Sequence, residues 1–263
     1  MGTAILRGLL KAGFDSANVA VSTKSALSAS RLAAELGITA FAAEENAQAN
    51  SLAVSGADVI LVAVKPMYVA SVLSEVASSM RPDALVISVA AGITNATMEA
   101  AVPDSVAVIR SMPNTPAIVG RAVTGLSRGS RASQEQLTLA TSLFETVGQV
   151  VVLPEEQIDA LGTISGSGPA YVFYLVEQFT EAAKNMGFDE ATAANLVTQT
   201  FLGATELLVA SGKTPEELRK QVTSPNGTTM QAIAKLEAGN LAALFTEATN
   251  AALARSKEIA AGK

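Results

Sequence analysis

Asp58-Val59-Ile60-Leu61-Val62-Ala63-Val64-Lys65-Pro66 is an apolar run, rich in β-branched residues, that stops at a lysine and a proline. It shows no polar alternation, so as a strand it is buried on both faces, the signature of a parallel sheet covered by helices on each side. It is also far too short to cross a bilayer as a helix. Val19-Ala20-Val21-Ser22, Leu85-Val86-Ile87-Ser88-Val89 and Val106-Ala107-Val108-Ile109 have the same character. Helical patterns lie between these runs, near residues 2–12, 25–36, 68–79 and 94–100, set off by Gly, Pro and Asp/Asn turns. Alternating βα units imply a doubly wound sheet whose ligand crevice lies beyond the carboxyl ends of its strands. Two further strands, near 122–127 and 149–153, flank a helix near 133–146.

After Pro154 the pattern changes. No strand is expected, and helices are predicted near 155–186, 189–211, 215–221, 229–238 and 240–261, with Gly187, Gly212 and Gly239 as C-terminal caps. The chain therefore divides into a Rossmann-like α/β dinucleotide-binding domain over 1–153 and an all-α domain over 154–263. Tyr171, Leu175, Phe179, Ala182 and Met186 form one helical stripe, and Val172, Val176 and Ala183 form another. A helix apolar on two sides needs two partners, which favours an interlocked homodimer.

The other end of the chain is equally telling. Met1-Gly2-Thr3-Ala4-Ile5-Leu6-Arg7-Gly8-Leu9-Leu10-Lys11-Ala12-Gly13 reads as the first helix of a dinucleotide fold with no strand before it. Of the G-x-G-x-x-[GA] fingerprint that opens such a helix, only Gly2 is a candidate. In the strand order 3-2-1-4-5-6 the first strand is central, so without it both neighbours lack a ladder partner. The expectation is that the natural polypeptide starts upstream and that the sheet is interrupted where its first strand belongs.

Composition narrows the chemistry. The 263 residues are 49% hydrophobic and 4% aromatic, with net charge −6 and neither Cys nor His. Without those two residues there is no disulfide, thiol nucleophile, Ser-His-Asp relay or thiolate-imidazole metal site. The acidic balance gives no electrostatic reason to bind nucleic acid or an anionic membrane. No signal-peptide pattern opens the chain, and a soluble, cytoplasmic protein without a bound metal is expected.

Several polar segments fall at strand ends. Ser22-Thr23-Lys24-Ser25 places hydroxyls and a cation where an NAD-preferring fold carries a carboxylate, which favours NADPH, with NADH possible; the same residues also suit a helix cap. Val64-Lys65-Pro66 puts a lysine at a switch point, facing phosphate or substrate. Ala90-Ala91-Gly92 leaves room for a flat nicotinamide, although close helix packing asks for the same residues. Arg110-Ser111-Met112-Pro113-Asn114-Thr115-Pro116 is a proline-stiffened loop, and Asn114 joins Gly2, Ser22, Thr23, Lys24, Val64, Lys65, Pro66, Ala90, Ala91 and Gly92 as candidate cofactor contacts. Ser165-Gly166-Ser167-Gly168-Pro169-Ala170-Tyr171 breaks a helical pattern, with Pro169 suited to the first turn of the next helix. Thr223-Ser224-Pro225-Asn226-Gly227-Thr228-Thr229 precedes the helix starting Met230-Gln231-Ala232-Ile233. It reads equally as a capped turn or as a carboxylate site made from hydroxyls and free N–H groups.

In this order the motifs Val64-Lys65-Pro66, Ala90-Ala91-Gly92, Met112-Pro113-Asn114-Thr115-Pro116, Ser165 to Tyr171 and Thr223 to Thr229 resemble the pyrroline-5-carboxylate reductase family over essentially the whole chain. Asn226 stands where many members of that family carry a second glycine. The resemblance implies NAD(P)H-dependent reduction of the cyclic imine 1-pyrroline-5-carboxylate to L-proline. It implies that Ser224, Gly227 and Thr228 hold the substrate carboxylate and that Thr229 hydrogen-bonds the ring nitrogen. It also implies a homodimer, often assembled into larger rings. The chemistry suits a chain without His or Cys, because an imine takes its proton from solvent before it binds and no strong enzymic acid is required. Two other readings remain. A β-hydroxyacid dehydrogenase needs an early lysine in the helix after the glycine-rich break, where the first lysine here is Lys184. A non-catalytic dimeric scaffold would retain the fold with a decayed nucleotide site.

Overall fold

The structure is a computed structural model, and it describes residues 1–260. Its first helix, α1 (Gly2–Lys11), is followed by β1 (Ala20–Thr23), α2 (Ala26–Leu36), β2 (Thr39–Ala42), α3 (Ala49–Val54) and β3 (Val59–Val62). Next come α4 (Val69–Val76), β4 (Leu85–Ser88), α5 (Asn95–Glu99), β5 (Ala107–Met112), β6 (Ala122–Arg128), α6 (Gln134–Glu145) and β7 (Gly148–Val152). The helical half comprises α7 (Glu155–Leu161), α8 (Gly168–Asn185), α9 (Glu190–Ser211), α10 (Pro215–Gln221), α11 (Thr228–Ala238) and α12 (Leu241–Ala260). A π-helical turn, Gly162–Gly166, separates α7 from α8.

Local chemistry sets many of these boundaries. The Ser25 hydroxyl accepts from the Ser28 N–H at the start of α2, and Gly37, at φ 66°, ends it. Reciprocal capping boxes, Ser133 with Gln136 and Thr214 with Glu217, open α6 and α10. The expected cap at Gly239 differs in detail: Gly239 is right-handed at φ −76°, and Asn240, at φ 48°, takes the left-handed turn.

The strands form two sheets. β1 and β2 pair in parallel, and β3-β4-β5-β6-β7 form the second sheet in that order. Among the described residues no ladder joins β1 to β3, so the expected interruption falls between them. β3, β4 and β5 are parallel, whereas β6 runs antiparallel to β5 and parallel to β7. The link from Met112 to Ala122 holds only a short 3-10 turn, and a parallel crossover needs a dozen or more residues. The second strand, β2, and helix α3 were not expected from sequence.

Helix α1 holds the two sheets together. Ile5 is buried with Leu85, Ile87, Ile109 and Phe144 of the larger sheet's core, and its neighbour Leu6 is buried with Leu32 and Ile38 beside the smaller one. The other face of the larger sheet is covered by Val69, Leu73 and Val76 of α4 and Met98 of α5.

Packing divides the chain into Met1–Ser167 with the end of α12 from Ala252, and Gly168–Ala251. Helix α7 thus belongs with the sheet, beyond the expected boundary at 153, because Ile158 and Leu161 rest against Gly125 of β6. In the helical unit α8 and α9 pack through Ala183, Ala193 and Val197, with Val176 and Phe201 against them. Phe179 meets Phe201 edge-on at 6.5 Å. Among the described residues no helix is long and apolar enough to cross a membrane.

One charge sits inside the α/β unit. Arg110 on β5 has 3% of its side chain exposed and pairs with Asp159 at 2.6 Å and Glu155 at 3.6 Å, both on α7. Glu155 also accepts from the Asn95 N–H at 2.6 Å, which ties the first turn of α5 into the same cluster. Replacing Arg110 with Met leaves the paired carboxylates without their cation, and removing one partner of a buried pair costs roughly 3–5 kcal/mol. Both carboxylates keep some solvent, so the expected loss is about 3 kcal/mol, read by urea unfolding; an unchanged midpoint would refute this assignment.

Candidate active site

In the α/β unit the polar segments singled out above lie at the carboxyl ends of β1, β3, β4 and β5, where an open α/β sheet places its ligand crevice. Helix α1 begins there without a side-chain cap. A Cβ built on Gly2 would stand 2.9 Å from the Ala63 Cβ, so the helix meets the end of β3 at a separation that favours glycine. Close helix–strand packing is the role of the last fingerprint glycine in a dinucleotide fold.

At the end of β1 the Ser22 hydroxyl is buried without a hydrogen-bond partner. Thr23 Oγ1 donates to the Ser25 carbonyl at 3.0 Å, and Lys24 is exposed. Glu44 arrives from the chain after β2. Its backbone N–H donates to the Lys24 carbonyl at 3.1 Å, and its carboxylate accepts from the Ala26 N–H at 2.6 Å. A carboxylate thus occupies the first turn of α2, beside the proposed phosphate-binding hydroxyls. Sequence reading missed Glu44 because it lies on another strand's exit; the pairing of β1 with β2 brings it there.

Lys65 is exposed at the end of β3, between Val64 and Pro66, which opens a 3-10 turn over Pro66–Tyr68. At the end of β4, Ser88 is fully buried; its Oγ accepts from the Ala90 N–H and its carbonyl accepts from Ser111 Oγ at 2.7 Å. Ala90 is buried, Ala91 is exposed, and Gly92 turns the chain at φ 76°, a left-handed conformation suited to glycine. The orphaned Ser22 hydroxyl, the close approach at Gly2 and the small residues 90–92 together fit a nicotinamide dinucleotide. Asn114 differs from its expected role, since it is buried and both ends of its side chain bond to protein.

In the helical unit the segment before α11 forms a tight turn. The Gly227 N–H donates to the Ser224 carbonyl at 3.0 Å, with Asn226 left-handed at φ 59°. Thr223 Oγ1 donates to the Arg219 carbonyl of α10 at 2.6 Å, so this hydroxyl is engaged. Gly227 caps α11 without a side-chain hydrogen bond, which leaves the first N–H groups of the helix uncapped by any side chain. A Cβ at Gly227 would stand 2.4 Å from Ser224 Oγ, so the absence of a side chain there is what lets the Ser224 hydroxyl fold over the helix mouth. The Ser224 hydroxyl therefore lies beside a helix N-terminus whose first two residues are Thr228 and Thr229, a place suited to an anion.

A dinucleotide-type fold followed by a helical unit with a turn suited to an anion is the plan of a two-domain nicotinamide-dependent oxidoreductase. Residues 155–259 match the family described as Pyrroline-5-carboxylate reductase dimerisation, and residues 1–92 match NADP oxidoreductase coenzyme F420-dependent. The chain is 38% identical over 261 residues to a pyrroline-5-carboxylate reductase of Pseudomonas aeruginosa, covering 99% of this chain and 93% of that protein. A solved pyrroline-5-carboxylate reductase from Coxiella burnetii superposes with a TM-score of 0.90 at 36% identity, covering 98% of this chain and 94% of that one. The pyrroline carboxylate reductase of Plasmodium falciparum, solved with NADP bound, gives 0.85 at 25% identity, covering 99% and 94%. The chain belongs to the pyrroline-5-carboxylate reductase family.

Proposed function

We propose that this chain reduces 1-pyrroline-5-carboxylate to L-proline with NADPH, as a cytoplasmic homodimer. The observation that carries the substrate reading is the mouth of α11, where Gly227 leaves the first N–H groups without a side-chain cap, the Ser224 hydroxyl lies beside Gly227, and Thr228 and Thr229 are the first two residues of the helix. The substrate carboxylate binds there, on Ser224 and the Gly227 and Thr228 backbone, while Lys65, exposed at the end of β3, contributes charge at the carboxyl ends of the strands. The Thr229 hydroxyl orients the ring nitrogen, which arrives already protonated. When bound, the nicotinamide supplies the hydride that reduces the C=N carbon. The protein's contribution is orientation, which supplies roughly 7–11 kcal/mol of a barrier when the reacting atoms are held at near-attack distance.

Removal of the Thr229 hydroxyl tests the orientation. Thr229→Val is expected to lower kcat for the cyclic imine by about tenfold to a thousandfold, short of the roughly ten-thousandfold ceiling for a group that itself transfers the proton, with NADPH affinity unchanged. Equal loss of NADPH affinity would assign Thr229 to the cofactor instead. A protein that turned over 3-hydroxy acids but not the imine would remove the reading altogether.

Cofactor choice has a second reading, carried by Glu44. Lys24 and the hydroxyls of Ser22 and Thr23 favour a 2′-phosphate, whereas the Glu44 carboxylate on the Ala26 N–H opposes one and suits the ribose hydroxyls of NADH. Glu44→Gln removes a like charge at close range, and a shift of about fivefold toward NADPH is expected from Coulomb repulsion in solvent. Dissociation constants for both cofactors measure it, and equal shifts in the two would exclude the phosphate as the cause.

The homodimer follows from the helical unit. Phe179, Met186, Phe188 and Leu196 line an open apolar groove between α8 and α9, with Met186 79% exposed. Met186→Asp is expected to weaken self-association at least about tenfold, since a charge cannot enter a dry interface unpaired. Sedimentation velocity across a dilution series reads this directly, and an unchanged profile would place the interface elsewhere. Larger rings of dimers are compatible with this arrangement.

A further inference from the structure

Asn114 is 7% exposed. Its Nδ2 donates to the Ser165 carbonyl at 2.8 Å, and its Oδ1 accepts from the Val123 N–H at 2.9 Å. One partner is an acceptor and the other a donor, so a single orientation of the amide satisfies both.

The sequence explains why the Ser165 carbonyl needs an outside donor. In a regular α-helix it would take the N–H four residues on, and that residue is Pro169, which has none. The carbonyl lies in the π-turn Gly162–Gly166, where the Ser167 N–H reaches back to the Gly162 carbonyl. Met112, two residues before Asn114, leans on the same turn: a Cβ on Gly162 or Gly166 would stand 3.1 or 3.0 Å from its Cε. The exit of β5 therefore grips the π-turn twice, by the thioether against the two glycines and by the amide on the carbonyl. Turns of this kind are rare and recur at functional sites.

We propose that Asn114 is a positioning residue for imine reduction: its amide replaces the N–H that Pro169 lacks, and so fixes the Gly162–Gly166 turn and the Ser167 that follows it. It acts through this turn and does not bind the cofactor. The proposal rests on the imine-reductase reading for its activity readout, and on the turn itself for a second one.

The test uses the full chain with Asn114→Asp, which keeps the size and the acceptor for Val123 but sets an oxygen against the Ser165 carbonyl. Asn114→Ser, too short to reach Ser165, serves if the Asp variant does not fold. A small misplacement of reacting groups costs about a hundredfold in rate, so kcat for the imine is expected to fall by about that factor while the NADPH dissociation constant stays at the wild-type value. Adding Pro169→Ala restores an N–H for Ser165 and is expected to recover a large part of the lost kcat. Parallel loss of NADPH affinity would make Asn114 a cofactor ligand and overturn the proposal, as would a lowered melting temperature with kcat unchanged or with no rescue. Amide exchange over residues 162–168 separates the two readings. An inactive wild type defeats the reductase assignment alone, whereas exchange unchanged by Asn114→Ser defeats the strut.

Discussion

The α/β unit depends on one helix having two adjacent residues buried in different places. Ile5 enters the core of the five-stranded sheet and Leu6 enters the cluster beside β1 and β2. Among the described residues no ladder connects those sheets, and the side chains of α1 reach the clusters beside both. Fully burying two such side chains contributes roughly 1.5–3 kcal/mol each, and α1 contributes further through Gly8, whose Cβ would collide with Val147 Cγ1 at 2.2 Å. The small residues on α1 thus let it sit low enough for Ile5 and Leu6 to reach opposite clusters. The alignment of the crevice rim follows from this, because Ser22 and Lys24 belong to one sheet and Lys65, Ala90 and Asn114 to the other.

A chain without His or Cys suits chemistry that leans on holding and orienting, and the two halves offer different surfaces for it. The α/β unit offers small residues and exposed Lys24 and Lys65 at strand ends, suited to a large, flat, phosphate-bearing molecule. The helical unit offers hydroxyls and an uncapped helix start, suited to a small carboxylate. The buried Arg110 with Asp159 and Glu155 serves neither ligand directly. It holds α7 against β5 immediately before the segment where Met112 and Asn114 take hold of the π-turn.

Much of this was legible in the residues. Val59 to Val64 and Leu85 to Val89 announce buried strands because they are apolar at every position but Ser88, and their parallel pairing follows. The strand Thr39-Ala40-Phe41-Ala42 escaped notice because two of its four residues are alanine, which is depleted in strands and favours helix. The antiparallel direction of β6 was readable in principle from the short link after Met112. The π-turn and its strut were not, since nothing local to Pro169 says which distant side chain will serve the carbonyl it leaves bare. The same holds for Glu44, whose place at α2 exists only once β1 and β2 have paired.

The helical unit carries a thermodynamic consequence. Its buried apolar cluster consists of Ala183, Ala193 and Val197, while Phe173, Tyr174, Leu207 and Val209 remain more than half exposed. So few interior groups do not offset the chain entropy of helices this long, at about 1–2 kcal/mol per ordered residue. Where a second copy covers these faces, association and folding of this half become one equilibrium governed by mass action, and its melting temperature then rises with protein concentration.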